Sequence, residues 1–308
     1  MIRVGRDEMK LMIIGGGAIG LLTAAYLKQV IEEVTLCTRT KKQANEINEH
    51  GLTLINNNKK RNIAINSIDL NNAPLEEADV LIFTVKSYDL HHVLKQIEPQ
   101  RRKHQSYLFL QNGMSHVEEA NRLADIHIGF GTISHGAIRE SLTNVRHTGI
   151  GELNWSYFQE ESVALNKVMH TISQSDFPVK KEDDWQSLLW SKLLVNVCIN
   201  PLTALTGVQN GELILSIELK QMMRAVFEEA FQLHPLQIGK EQHWQNVLNI
   251  CEQTKENQSS MLVDIKAGRQ TEVDSILGFL VRLSENLQVS IPIIHFLNKA
   301  LINSEQNK

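Results

Sequence analysis

Cysteine is scarce in this chain of 308 residues. Cys37, Cys198 and Cys251 form an odd, widely spaced set with no C-x-x-C, so neither a disulfide scaffold nor a structural zinc site follows, and a reducing compartment fits best. The twelve histidines are scattered and none falls in H-E-x-x-H. The adjacent pair His91-His92 reads as a solvated helix start, and no metal is expected. A large excess of one charge is also lacking: the formal net charge is -4, whereas a phosphate-binding footprint would bias a whole domain basic. Nucleic acid is therefore not expected as a partner. No run reads as long and apolar enough to cross a bilayer, so no membrane partner is expected either. Arg3, Arg6 and Lys10 precede an apolar stretch, but it leads straight into glycines and reads as a strand rather than a cleavable signal. Met9-Lys10 resembles a natural start, which makes residues 1–8 a short extension. The expected location is the cytoplasm. Internal repeats and low-complexity tracts are missing.

What is present is enough for a full core, with 42% hydrophobic and 21% charged residues, and for about two domains. Leu11-Met12-Ile13-Ile14 is a short, wholly apolar run, as expected of a parallel strand buried on both faces. A helix is predicted over 18–30 and a second strand over Val34–Cys37. Further strands are predicted at Thr53–Ile55, Ile63–Ile65, Val80–Val85, Tyr107–Leu110 and Ile126–Gly129, with helices near 41–50, 88–97 and 115–124. This alternation predicts a doubly wound α/β sheet of Rossmann type. From about Asp183 onward, helical spacing dominates: 184–200, 212–233, 240–255, 259–268 and 274–287. Asp176-Phe177-Pro178 marks the junction, because proline and its predecessor disfavour helix. The expected fold is thus an α/β domain over 1–182 followed by an all-α domain over 183–308.

Gly15, Gly17 and Gly20 complete G-x-G-x-x-G between a predicted strand and a predicted helix, within Gly15-Gly16-Gly17-Ala18-Ile19-Gly20. The first glycine permits the tight turn, the second lets backbone approach a pyrophosphate, and the third allows close helix–strand packing. Free N–H groups and the helix dipole then favour an anion. The second strand ends Cys37-Thr38-Arg39-Thr40-Lys41-Lys42, without the acid that would bond a ribose 2′-hydroxyl. A planar guanidinium at Arg39 suits a 2′-phosphate instead, so NADPH/NADP is favoured over NAD. Lys86 and Asn112 close the next two strands at the carboxyl edge where ligands of such sheets lie. Asn112 precedes a glycine, and turn chemistry explains it equally well.

In the helical part, Lys192, Asn196 and Asn200 recur at i, i+4 and i+8 on a stretch that is apolar nearly all round. An unpartnered ammonium or amide is costly to bury, so this stripe must face partners or a ligand. Pro201 is expected to end or kink the helix. A lysine in a partly dry cleft suits ketone reduction: it can donate a proton and stabilise the charge that builds on oxygen. Ser259 or Ser260 is a plausible helix cap, and Glu272 could merely complement a helix terminus.

The glycine loop, Lys86, Leu110–Met114, Lys192–Pro201, Asn210-Gly211-Glu212-Leu213, Ser259–Asp264 and Thr271–Asp274 occur in the order and at the spacings of ketopantoate reductases. The chain resembles that family over residues 9–300. The resemblance implies NADPH-dependent reduction of 2-dehydropantoate to (R)-pantoate, on the way to pantothenate and coenzyme A. It also implies a helical second domain like the C-terminal domain of 6-phosphogluconate dehydrogenase. Lys192 matches the catalytic lysine and Glu272 the acid that bonds the substrate hydroxyl, at the cofactor end of the site. Asn196, Asn200 and Ser260 match substrate-binding positions, and Lys86 and Asn112 match residues facing the nicotinamide end and the substrate. Gly15 to Gly20, with Ala18 and Ile19, match the cofactor loop, and Arg39 the 2′-phosphate contact. Asn210 matches a further motif asparagine. Family members often carry a glutamine where Asp89 falls; an acid there would weaken cofactor affinity or mark a different 2-oxo acid.

Two other readings stand beside this one: a reductase of the same fold acting on another 2-oxo acid or a phosphorylated ketone, and a non-catalytic NADP(H)-sensing protein. A sensor has no need of Lys192 and Glu272 together. A helical domain this apolar is compatible with a homodimer.

Overall fold

The computed structural model describes residues 9–123 and 125–306; the extension expected over residues 1–8 lies outside them. By contact density the chain divides into two compact units. The first comprises the described residues up to Gln111 together with Glu119–Leu188, and the second comprises Asn112–Glu118 and everything from Leu189 onward.

In chain order the elements begin with β1 (Leu11–Ile14), α1 (Ala18–Leu27), β2 (Val34–Thr38), α2 (Lys41–His50), β3 (Leu52–Asn56), β4 (Lys59–Ile63), β5 (Asn66–Asp69) and β6 (Val80–Phe83). They continue with α3 (Ser87–Ile97), β7 (Ser106–Phe109), α4 (Ser115–Ala120), β8 (His127–Ile133), β9 (Gly136–Arg139), β10 (Asn144–Gly149), β11 (Leu153–Tyr157), α5 (Val163–Ile172) and β12 (Val179–Lys181). The main sheet has the order β12-β11-β8-β7-β6-β1-β2-β5. From β5 through β8 every pairing is parallel. Counted by their own sequence, these six strands run 3-2-1-4-5-6, the doubly wound order of dinucleotide-binding sheets. The order turns back between β1 and β6, where the chain leaves a crevice at the carboxyl edge. Register keeps that edge level: Ile14 pairs with both Cys37 and Phe83, and Phe83 with Phe109. Beyond β8, an antiparallel β11 and then β12 extend the sheet.

All four residues of β1, β6 and β7 are buried, which is why their sequences are unbroken apolar runs or nearly so. Phe83 stacks on Phe109 at 4.9 Å and lies 5.1 Å from Tyr107, with Phe130 next to Phe109. A second sheet, β4-β3-β10-β9, covers α1. Tyr26 on α1 is joined to it by a buried chain: the Tyr26 hydroxyl lies 2.8 Å from His147 Nδ1, and His147 Nε2 lies 3.1 Å from His135 Nδ1. Phe177 stacks on the His135 ring at 4.1 Å. The strand expected at Ile63–Ile65 falls at the break between β4 and β5.

The second unit is built from α6 (Trp185–Thr206), which begins four residues before it, then α7 (Glu212–Leu215), α8 (Ile217–Gln232), α9 (Lys240–Gln253), α10 (Ser260–Lys266), α11 (Phe279–Leu287) and α12 (Pro292–Gln306). Four expectations need correction. The helix does not end at Pro201 but runs through it to Thr206, where the hydroxyl of Thr203 lies 2.8 Å from Ile199 O and 3.1 Å from Asn200 O, two residues and one residue before the proline. Because it runs on, α6 is by length and composition apolar enough to cross a membrane, but 78% of its apolar window is buried inside the protein. The helix expected over 212–233 breaks at Ser216, whose side chain caps α8 by accepting from Leu219 N–H. The one expected over 274–287 opens as a π-helical turn, Asp274–Gly278, before α11. Glu229, buried on α8, caps α12: its carboxylate oxygens accept from Ile293 N–H and Ile294 N–H at 3.0 and 2.9 Å.

Candidate functional site

In the first unit the loop after β1 is locked by its neighbours. Gly15 N–H donates to Cys37 O at 2.9 Å, and Thr84, just past β6, lies 3.1 Å through its hydroxyl from both Ile14 O and Gly15 O. Gly15 has φ +123°, and a Cβ there would meet Thr84 Oγ1 and Val85 N at 2.9 Å. A Cβ on Gly20 would lie 1.8 Å from Gly15 O, so the third glycine is required by packing alone. Gly17 differs: nothing lies within 4 Å of the place a Cβ would take. It stands at the N-cap of α1, with no side-chain cap and no acid in the first turn. A glycine with open space in front of uncapped helix N–H groups fits a pyrophosphate, and a dinucleotide is therefore compatible with the loop as built.

Arg39 follows β2, is 86% exposed in its side chain, and reaches Asp89 in the first turn of α3 at 3.9 Å. An exposed pair this loose contributes about 0–1 kcal/mol and leaves the guanidinium able to turn to an anion. Lys86 occupies the N-cap position of α3 and is half-buried. Ala18 and Ile19 form the first turn of α1.

In the second unit Lys192, Asn196 and Asn200 lie on successive turns of α6. Lys192 is half-buried and, among the described residues, has no hydrogen bond or ion pair; desolvation alone holds its ammonium below the ordinary lysine pKa. One turn on, Asn196 Nδ2 is buried and without a partner among the described residues. Asn200 is buried as well. In the same unit, the segment Asn112–Glu118 packs on the π-helical turn: a Cβ on Gly113 would strike Ser275 O at 2.1 Å, and Met114 N–H donates to that carbonyl at 3.0 Å. This close fit places Asn112 Nδ2 3.0 Å from Glu272 Oε2, joining two of the expected site residues across 160 positions. Glu272 is buried and lies two residues before the π-helical turn, a local distortion frequent at functional sites.

Ser259, not Ser260, caps α10 by accepting from Leu262 N–H, and its hydroxyl lies 2.7 Å from that of Thr203 on α6. Ser260 is exposed in the first turn. Asn210 is tied to the segment that follows α9, with its backbone N–H on Asn257 O and its amide on Thr254 Oγ1. Sequence reasoning missed Thr84, Gln43 and Arg139, all hydrogen-bonded to the glycine loop. Thr84 had a signal, standing two residues before Lys86 at the end of an apolar strand; the other two had none.

These features define a doubly wound dinucleotide-binding protein with a helical second unit that carries a desolvated lysine. Comparison with known proteins narrows the class. The model of the family described as "Ketopantoate reductase PanE/ApbA" matches residues 11–160, and that of its C-terminal part matches residues 184–305. The 2-dehydropantoate 2-reductase of Bacillus subtilis is 39% identical over 97% of this chain and 98% of its own. A solved PanE/ApbA family ketopantoate reductase from Ralstonia eutropha superposes with a TM-score of 0.87 at 25% identity, covering 97% of this chain and 99% of that one. D-mandelate dehydrogenase with NADH and anilino(oxo)acetate shares the fold, with a TM-score of 0.88 at 24% identity over 97% and 99%. The chain belongs to the ketopantoate reductase family.

Proposed function

We propose that this protein reduces 2-dehydropantoate to (R)-pantoate with NADPH, in the supply of pantothenate and coenzyme A. Family membership supports the reaction, and one observation carries the chemistry: a desolvated Lys192 ammonium with no ion pair among the described residues, one turn from an Asn196 amide nitrogen that finds no partner among them either. Bound NADPH supplies a hydride to the ketone carbon. Lys192 Nζ gives its proton to the ketone oxygen, and its charge stabilises the oxygen as negative character grows there. Asn196, Asn200 and Ser260 bind the substrate, and Glu272, oriented by Asn112, bonds its hydroxyl. Gly15 to Gly20 hold the pyrophosphate, Arg39 the 2′-phosphate, and Lys86 with Asn112 the nicotinamide end. Asn210 stays a motif residue whose bonds to Asn257 and Thr254 order the approach to α7.

In this reading residues 1–182 form the cofactor domain and 183–308 the catalytic domain. The protein works in the cytoplasm, in keeping with three buried free cysteines. Exposed Leu215, Ile217 and Phe296 on the helical unit support a homodimer. Asp89, 3.9 Å from Arg39, competes with the 2′-phosphate for the guanidinium and so moderates the affinity for NADPH.

The test is oxidation of NADPH, followed by absorbance, against a panel of 2-oxo acids that includes 2-dehydropantoate. Turnover highest on 2-dehydropantoate is expected, with Arg39→Ala eroding the preference for NADPH over NADH. A better 2-oxo acid replaces the substrate; no turnover on any of them replaces the enzyme with a sensor.

A further inference from the structure

Two side chains from distant parts of the first unit converge on one carbonyl of the glycine loop. Gln43 Nε2 on α2 donates to Gly16 O at 2.9 Å, and Arg139 Nη1 at the end of β9 donates to the same oxygen at 3.1 Å. Gln43 is only 4% exposed, and its amide also donates to Leu142 O at 2.9 Å, tying in the turn between β9 and β10. A Cβ on Gly16 would lie 2.5 Å from Gln43 Oε1, so glycine at this position makes room for that amide rather than for a ligand. Gly17, the next residue, faces open space.

The peptide joining Gly16 to Gly17 is planar and trans, so its C=O and N–H point in opposite directions. Two donors on the oxygen fix the direction of the Gly17 N–H. Released, that peptide could rotate and turn a carbonyl oxygen toward an anion. A guanidinium on the oxygen also polarises the peptide and strengthens its N–H as a donor.

We propose that Gln43 and Arg139 are positioning residues for the cofactor pyrophosphate: they pin the Gly16–Gly17 peptide with its N–H presented and its carbonyl withdrawn. The second sheet then has a task in cofactor binding, because β9 supplies Arg139 and the turn after it receives Gln43. The inference rests on the dinucleotide reading of the loop and goes beyond it by assigning residues outside the glycine motif.

The test uses the full chain and two cofactors that share a pyrophosphate but differ at the 2′ position. NADPH and NADH dissociation constants, and KM and kcat with each, are measured for Arg139→Ala, Arg139→Lys and Gln43→Leu. Arg139→Ala should weaken both cofactors by a similar factor, roughly tenfold, as expected for loss of a charge-assisted bond. The KM for cofactor should rise while kcat at saturation and Tm stay close to wild type, since Arg139 is exposed. Arg139→Lys, which keeps the charge and one donor, should regain most of the loss. Gln43→Leu should act in the same direction; if it fails to fold, Arg139→Ala decides alone. Unchanged affinity in Arg139→Ala, or a loss confined to NADPH, or a loss that only follows a fall in Tm, overturns the proposal. A wild-type chain that binds neither cofactor overturns the dinucleotide reading itself, a result separable from the others.

Discussion

Lys192 shows how a single side chain can be tuned by what it lacks. Burial, with no compensating carboxylate among the described residues, disfavours the charged form and lowers its pKa. A substrate carboxylate arriving nearby would reverse that, restoring the proton at the moment it is needed. Reduction needs the protonated amine, so kcat/KM should fall as pH rises through the Lys192 pKa, and the alkaline limb should centre below the ordinary 10.5. Lys192→Ala should lower kcat by orders of magnitude and leave the NADPH dissociation constant nearly unchanged. An active alanine variant, or a rate that stays level up to pH 10.5, would sink the assignment. The lysine stripe was legible because its members are four residues apart on one helix. Gln43 and Arg139 were not, because their shared partner lies 27 and 123 positions away and neither belongs to a local pattern.

At the level of the element, the three motif glycines have different reasons for being glycine, and substitution separates them. Gly20→Ala forces a methyl against a backbone oxygen and should cost about 3 kcal/mol, read as a lower Tm. Gly17 has φ -78° and ψ -175°, a conformation alanine adopts freely, and open space beyond. Gly17→Ala should therefore keep or slightly raise Tm, by roughly 0.5 kcal/mol of stability, yet lose cofactor affinity. Equal loss of stability in both variants would refute the distinction. The strands of the main sheet were legible where burial on both faces made them apolar, as in Leu11–Ile14 and Val80–Phe83. β4 was largely missed because Lys59-Lys60-Arg61-Asn62 are all exposed, and no hydrophobic period marks them. Of the two outcomes expected at Pro201, an end or a kink, the end did not follow, because packing around a buried helix overrode the local rule about proline.

Over the whole molecule, burial lowers the pKa of several histidines at once: His116 to about 3, His135 to about 4, and His147, His234 and His243 in the same direction. In the folded protein they stay neutral where the unfolded chain, near 6.5, already binds protons. Below pH 6.5 the unfolded state holds more protons, so stability falls as pH is lowered from there toward 4. Thermal melts should show a level Tm above pH 7 and a decline below 6.5, with a shallower decline in His135→Gln; an identical slope in that variant would exclude His135 as a contributor. The overall arrangement, alternating α/β followed by helices, was legible from hydrophobic period alone. The membership of Asn112–Glu118 was not, because contacts such as Met114 N–H to Ser275 O depend on residues 161 apart. That segment makes the covalent chain pass between its two units at Gln111–Asn112, at Glu118–Glu119 and at Leu188–Leu189. No single cut can release the helical unit entire. A fragment beginning at Leu189 would lack the peptide that seats Gly113 and Asn112, and a truncation library would recover it intact only when that heptapeptide is returned as a separate strand.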